Sequence, residues 1–167
     1  MINITLKDGS VKQYSNEISV ISVAKDISDG LARNVISADF NNEVVETSSM
    51  INKDGKLEFY TWDNDEGKKA FWHSSSHIMA QSIQELFPGI KLTIGPAINN
   101  GFYYDVDLGN HKISESDFEK IEKRMLEICR EKHDFKLRPV SKKDAIKFYK
   151  GESNEYKIEL VNDLKDG

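Results

Sequence analysis

Residues 2–31, INITLKDGSVKQYSNEISVISVAKDISDGL, decide how the first part of the chain folds. INITL is a short alternating run, Asp8–Gly9 is a hairpin turn signal, and SVKQYS returns as a second strand. Ser19 then stands as an N-cap before apolar residues at Val20, Val23, Ala24, Ile27 and Leu31, the spacing of a helix that lays one face on a sheet. Gly30 fits the end of that helix. Working outward, VISADF, an Asn41–Asn42 turn, EVVE, a polar loop at Asp54–Gly55 and KLEFYTW read as three further short strands. The order ββαβββ predicts a small β-grasp sheet folded over one helix, spanning residues 1–62.

DNDEGKK, residues 63–69, is charged, holds a glycine and lacks apolar residues, so it reads as a short linker. A second, α/β unit is expected over 70–167, giving an α+β chain overall. Its first helix runs to Phe87 and stops at Pro88–Gly89. KLTIG and GFYYDVDL read as strands around INN, and Ser114 to Asp117 is a capping box opening a second helix. That helix gathers Phe118, Ile121, Met125, Ile128 and Cys129 on one side, which predicts a core role for Cys129. FKLRPV reads as a strand, SKKDAIKFYKG as a capped short helix closed by Gly151, and YKIELV as a last strand.

Composition narrows the function classes. The chain has 167 residues, 38% hydrophobic and 31% charged, too apolar for a disordered polypeptide. One cysteine excludes an internal disulfide framework and points to a reducing cytosol. The opening MINITLKDGS has no long apolar run, so neither a signal peptide nor a membrane anchor is expected there. The net charge of −5 argues against a protein built wholly around nucleic acid. That charge is uneven: residues 119–150 carry 11 Lys/Arg against 6 Asp/Glu, whereas residues 1–118 carry 10 against 17. The ordinary reading of such a run is a solvated helix face rich in ion pairs; the sharper one is an RNA backbone passing nearby.

FWHSSSHIMAQ, residues 71–81, places His73 and His77 one helical turn apart. On a helical wheel the two lie about 40° apart, while Phe71, Ile78 and Leu86 gather on the opposite side as the expected apolar stripe. Two histidines on a solvated face are commonplace, so the pair has to be weighed against specific chemistries. A zincin is excluded, because its H-E-x-x-H motif needs glutamate where Ser74 stands. A zinc site would need further ligands, and a metal-free pocket would use neutral imidazoles to hold a water or a sugar hydroxyl and move protons during ester hydrolysis. Spacing alone leaves these two open.

HSSSH, the linking LFPGIKLT and the run IGPAINNGFYYDVDL resemble the start of the editing domain of bacterial threonyl-tRNA synthetases, and the ββαβββ unit before them resembles that family's TGS domain. The H-x-x-x-H helix alone is shared with alanyl-tRNA synthetases and free-standing editing proteins; the combination is far more specific. The resemblance implies an enzyme that joins threonine to tRNA(Thr) with ATP and hydrolyses serine mistakenly attached to it. It implies editing roles for His73 and His77, for Lys157 in the stretch NEYK, and a substrate-binding role for Tyr104 in FYYD.

The family's editing pocket is completed by a C-x-x-x-H segment, expected beyond Gly167. The chain is therefore expected to be an N-terminal piece ending partway through the editing domain, inactive by itself and holding no cofactor. ATP, magnesium and a zinc ion belong to the synthetase core further along. The implied partners are the tRNA(Thr) 3′ end and the rest of the synthetase chain, in a cytoplasmic homodimer without membrane association. Two rivals from other classes are a TGS-type binding module without catalysis, which should lack the HSSSH and NNGFYYD block, and a small zinc-binding structural protein.

Overall fold

The Asp8–Gly9 signal closes the hairpin it predicts. In the computed structural model, which describes residues 1–133 and 138–164, strands β1 (Ile2–Leu6) and β2 (Val11–Tyr14) pair antiparallel around it. Gly9 adopts a left-handed φ of 85°, and the Asp8 carboxylate accepts from the Ser10 amide at 2.9 Å. A two-residue strand β3 (Ile18–Ser19) leads into α1 (Val20–Ile27). The Ser19 hydroxyl caps α1 by accepting from the Ser22 amide.

The helix expected to run on to Gly30 stops earlier. Ser28 leaves helical geometry with φ −166° and ψ 148°, and its hydroxyl accepts from Leu31 to open a second helix, α2 (Asp29–Asn34). A serine that can hydrogen-bond the next turn competes with continued helix and wins here.

β4 (Ser37–Phe40), β5 (Glu43–Glu46), β6 (Met50–Ile51) and β7 (Gly55–Tyr60) follow. The sheet order is β2-β1-β7-β4-β5, with β1 and β7 parallel and the other neighbours antiparallel; β3 and β6 form a small separate ladder. Asn41 and Asn42, at φ 56° and 69°, make the tight β4–β5 turn that the sequence signals. Ile4, Val20, Val23, Ala38 and Leu57 are almost entirely buried between sheet and α1. This is the β-grasp arrangement.

The chain divides into two compact units, Met1–Trp72 and His73–Gly167. Of the stretch read as a linker, residues 65–69 are instead the first turns of α3 (Asp65–Leu86). The charges that suggested a solvated connection are those that favour a helix start: Asp65 and Glu66 sit at the positive end of the helix dipole. The Asn64 carboxamide accepts from the Thr61 amide at 2.8 Å, and the Lys68 amide reaches the Asn64 carbonyl at 2.9 Å. Gly67 permits this tight start, since a Cβ there would lie 1.9 Å from the Thr61 carbonyl oxygen.

The second unit is built of short pieces. β8 (Lys91–Leu92) pairs with β11 (Val106–Asp107), and β9 (Ala97–Ile98) with β10 (Gly101–Phe102). α4 (Glu115–Glu131) packs Ile121 into a core with Ile83 and Ile90, and the Ser82 hydroxyl donates to the Ile121 carbonyl at 3.0 Å. Phe118 and Cys129 lie on the exposed side of α4, contrary to the expected stripe. The buried face is narrower, and Arg124, reaching Glu85, Glu127 and Glu131, occupies the shoulder beside it.

Of the expected strand FKLRPV, residues 135–137 lie outside the described residues and 138–140 form no strand. α5 (Lys142–Gly151) is capped by Ser141 as read, but the left-handed residue that turns the chain is Ser153, at φ 53°, rather than Gly151. YKIELV is not a strand. It belongs to α6 (Glu155–Asp163), because Asn154 caps its first turn through the Lys157 amide and Glu155 stands at the N-terminal end of the dipole. Period-two alternation over six residues could not outweigh a cap that lies outside the window.

The close approach at Gly67 yields a test. Gly67→Ala is expected to destabilise the first unit by roughly 1–3 kcal/mol through backbone overlap with Thr61. Gly30→Ala, whose Cβ would meet only the Ser28 hydroxyl at 3.8 Å, should be neutral or stabilising by about 0.5–1 kcal/mol. Urea unfolding of the two variants separates the cases; equal midpoints would remove the steric role of Gly67.

Candidate functional site

α3 brings the two histidines together. Their Nε2 atoms are 3.1 Å apart, with ring centroids 4.7 Å apart at an interplanar angle of 83°. At that separation one ring donates an N–H to the lone pair of the other, so a single proton is held between two nitrogens. The apolar stripe of α3 is not the one read from the wheel. Phe71 and Leu86 are exposed, and the buried side carries Ser76, Ala80, Ser82 and Ile83, with Met79 and Phe87 packed alongside. The histidines sit on its shoulder.

Ser76 fastens that shoulder to the next segment. Its fully buried hydroxyl lies 2.7 Å from the His73 carbonyl and 2.9 Å from the Gly95 carbonyl, donating to this pair of acceptors. Gly95 in turn supports Tyr104: a Cβ at Gly95 would fall 2.0 Å from the Tyr104 ring. Burial pushes the half-buried Tyr104 phenol above its ordinary range, and the nearby Tyr149 adds to the effect. Tyr104 thus belongs to the same neighbourhood as Ser76, while Tyr149 brings in α5.

Lys157 joins from α6. Its charge is felt at His77, whose pKa is lowered first by desolvation, then by His73 and by Lys157. Burial alone lowers the Lys157 pKa, and no carboxylate pairs with its ammonium among the described residues. Both effects weaken the hold on a proton at His77 and Lys157. The four residues singled out in the sequence therefore fall within one unit, with His73 and Lys157 both bearing on His77 and Tyr104 joined through Gly95.

Three residues escaped the sequence reading: Ser76, Gly95 and Asn154. Ser76 was legible only as a small polar residue on the same side as Ala80 and Ile83. Asn154–Glu155 was an N-cap signal masked by the strand-like run after it.

A C-x-x-x-H string, expected only beyond Gly167, does occur within the chain as Cys129 to His133. It lies at the end of α4, where Lys132 is left-handed at φ 53°. His133 Nε2 is 2.8 Å from Glu131 Oε2, and Cys129 is exposed. Among the described residues, no hydrogen bond or ion pair joins this string to His73, His77 or Lys157. No group of three or more His, Cys, Asp or Glu side chains that could hold a metal ion occurs among the described residues.

The β-grasp unit points to a class, and comparison with known proteins agrees. The TGS domain family matches residues 2–61, so the first unit carries a TGS domain. Across the whole chain, the threonine–tRNA ligase of Flavobacterium psychrophilum is 62% identical over 167 residues, and that of Flavobacterium johnsoniae 59%. The threonine–tRNA ligase of Caldanaerobacter subterraneus subsp. tengcongensis is 44% identical over 164 residues. All of this chain is covered in the first two alignments and 98% in the third, against 26%, 26% and 25% of the respective relatives. The sequence is that of the N-terminal region of the threonyl-tRNA synthetase family, and it spans about a quarter of the length of those relatives. No helix among the described residues is long and apolar enough to cross a membrane.

His77 gives a pH signature. An unfolded imidazole takes up its proton near 6.5, and the folded one only at lower pH, so the unfolded chain binds more protons between those values. Stability is therefore expected to fall as pH drops below 6.5, and to be unaffected by this group above it. Urea midpoints should show a shallower acid-side loss in His77→Gln than in the parent sequence. An unchanged slope would exclude His77 as the source.

Proposed function

We propose that this chain is the TGS and editing portion of a threonine–tRNA ligase, with the TGS domain over 1–62 and the editing domain beginning near residue 70. The observation that carries the reading is the His73–His77 pair, held at 3.1 Å beside Lys157 and in one unit with Tyr104. The substrate proposed is the ester joining serine to the 3′ end of tRNA(Thr). Serine lacks one methyl of threonine, a difference worth about 1–3 kcal/mol in a binding pocket, so selection at the synthetic site benefits from a second hydrolytic sieve.

In this reading the histidine couple accepts a proton from the water that attacks the ester carbonyl and returns it to the ribose oxygen that leaves as the ester C–O bond breaks. Lys157, with its positive charge partly desolvated, offsets the negative charge that develops on the carbonyl oxygen. Tyr104 shapes the pocket against Gly95. The basic region also fits an RNA partner. Lys120 and Arg124 of α4 are paired with carboxylates, whereas Lys143, Lys147 and Lys150 make a stripe along α5 that has no carboxylate partner among the described residues. ATP, magnesium and zinc are assigned to the synthetic part of the longer protein, which we propose acts in the cytoplasm as a homodimer.

The test is serine release from Ser-tRNA(Thr) by the full-length ligase carrying this region. His73→Ala is expected to lower the rate by roughly 10²–10⁴-fold while Thr-tRNA(Thr) stays intact. A variant as fast as the parent, or equal hydrolysis of both esters, would overturn the proposal.

A further inference from the structure

We propose that Asn154 is the positioning residue that sets Lys157 against the histidine pair. Its side chain is buried at the junction of β8, α5 and α6, and all four of its polar groups are engaged there, the backbone carbonyl accepting from the Ile158 amide. The backbone amide donates to the Tyr149 carbonyl of α5 at 3.0 Å. The side-chain amide donates to the Leu92 carbonyl of β8 at 3.0 Å, and the side-chain oxygen accepts from the Lys157 amide at 3.1 Å. The residue is 7% exposed. One side chain therefore fixes the backbone of Lys157 to the β8–β11 ladder, while its own amide fixes the same point to the helix carrying Tyr149.

Two other contacts hold the first turn of α6 to the same ladder: the Lys91–Glu155 ion pair and the Tyr156 hydroxyl, which donates to the Asp107 carboxylate at 3.0 Å. Both are exposed. Surface ion pairs contribute little because water and salt screen them and their side chains lose freedom on pairing. Losing one partner of a buried hydrogen bond costs more, since the remaining group is left desolvated and unsatisfied. Asn154 is thus the contact whose removal should free α6 to shift at its N-terminal end, taking Lys157 with it. An ordinary helix cap would explain the bond to Lys157 but not the simultaneous bond to Leu92.

The proposal rests on the editing reading for its meaning, but its test does not. In the chain as it stands, NMR titration of the His77 imidazole reports the charge of Lys157, because that charge opposes protonation of the ring. The groups bearing on His77 are His73 from its own helix and Lys157 from α6. Lys157→Met should raise the His77 midpoint. Asn154→Ala should raise it too, and Asn154→Ala combined with Lys157→Met should go no higher than Lys157→Met alone. Asn154→Ser keeps a hydroxyl to cap α6 but cannot reach Leu92, so it should preserve the α6 amide resonances and still shift His77. This variant decides the matter if Asn154→Ala melts the helix. A His77 midpoint unmoved by Asn154→Ser, or Asn154 and Lys157 effects that add, would overturn the proposal. Failure of the editing reading would appear separately, as unimpaired serine release in His73→Ala with the coupling intact.

Discussion

One buried hydroxyl organises the second unit. Ser76 sits a single position before His77, yet it points to the opposite side of that shoulder, into the protein, where its proton is shared between the carbonyls of His73 and Gly95. Because the acceptor on one side belongs to the histidine helix and the other to the segment leading to β9, the hydroxyl fixes the distance between them. Gly95 must then be glycine, since the Tyr104 ring occupies the space of a side chain. The order of dependence runs from Ser76 to Gly95 to Tyr104, with the two histidines held on the rim of the same contact.

The electrostatics follow from that packing. Two imidazoles at 3.1 Å can share one proton comfortably but resist a second, and a nearby ammonium raises the resistance. Partial desolvation works in the same direction at both His77 and Lys157. The wall thus favours a neutral imidazole at His77 near physiological pH, the form that accepts a proton from water or a hydroxyl. Among the described residues no carboxylate pairs with this cluster to stabilise an imidazolium, as it would in a serine-protease type of relay; Lys157 bears on His77 instead, and in the editing reading that suits chemistry in which negative charge appears on the substrate.

Much of this was legible in the sequence, for local reasons. The first hairpin, the Asn41–Asn42 turn and the Ser114 and Ser141 caps are signalled within a few residues and appear where expected. The closeness of the two histidines was legible from i,i+4 spacing, whereas Tyr104 and Lys157 were singled out only by the family resemblance. What was misread depended on information outside the window. The α3 stripe was misplaced because Ser76 and Ser82, both fully buried, do not count as apolar on a wheel, whereas Phe71 and Leu86 do and are exposed. The run YKIELV alternates like a strand, but its conformation is set by Asn154, whose side chain is engaged by β8 some sixty residues earlier. Small polar residues that satisfy buried carbonyls are the shared blind spot in both cases.

Those same residues bear on how a pocket could reject a substrate that is larger by one methyl. Discrimination of that size comes from a wall that does not yield, because side chains able to move by an ångström would accommodate the extra group at small cost. Tyr104 cannot retreat toward Gly95, where ring and backbone are already in contact, and Gly95 is held to α3 by Ser76. Lys157 has a flexible side chain, but its backbone is pinned through Asn154 to β8. In the editing reading, the catalytic groups could tolerate motion at their tips provided the backbone beneath them stayed fixed. Selectivity would then reside less in the histidines than in the three small polar or side-chain-free positions, Ser76, Gly95 and Asn154, that hold the wall rigid.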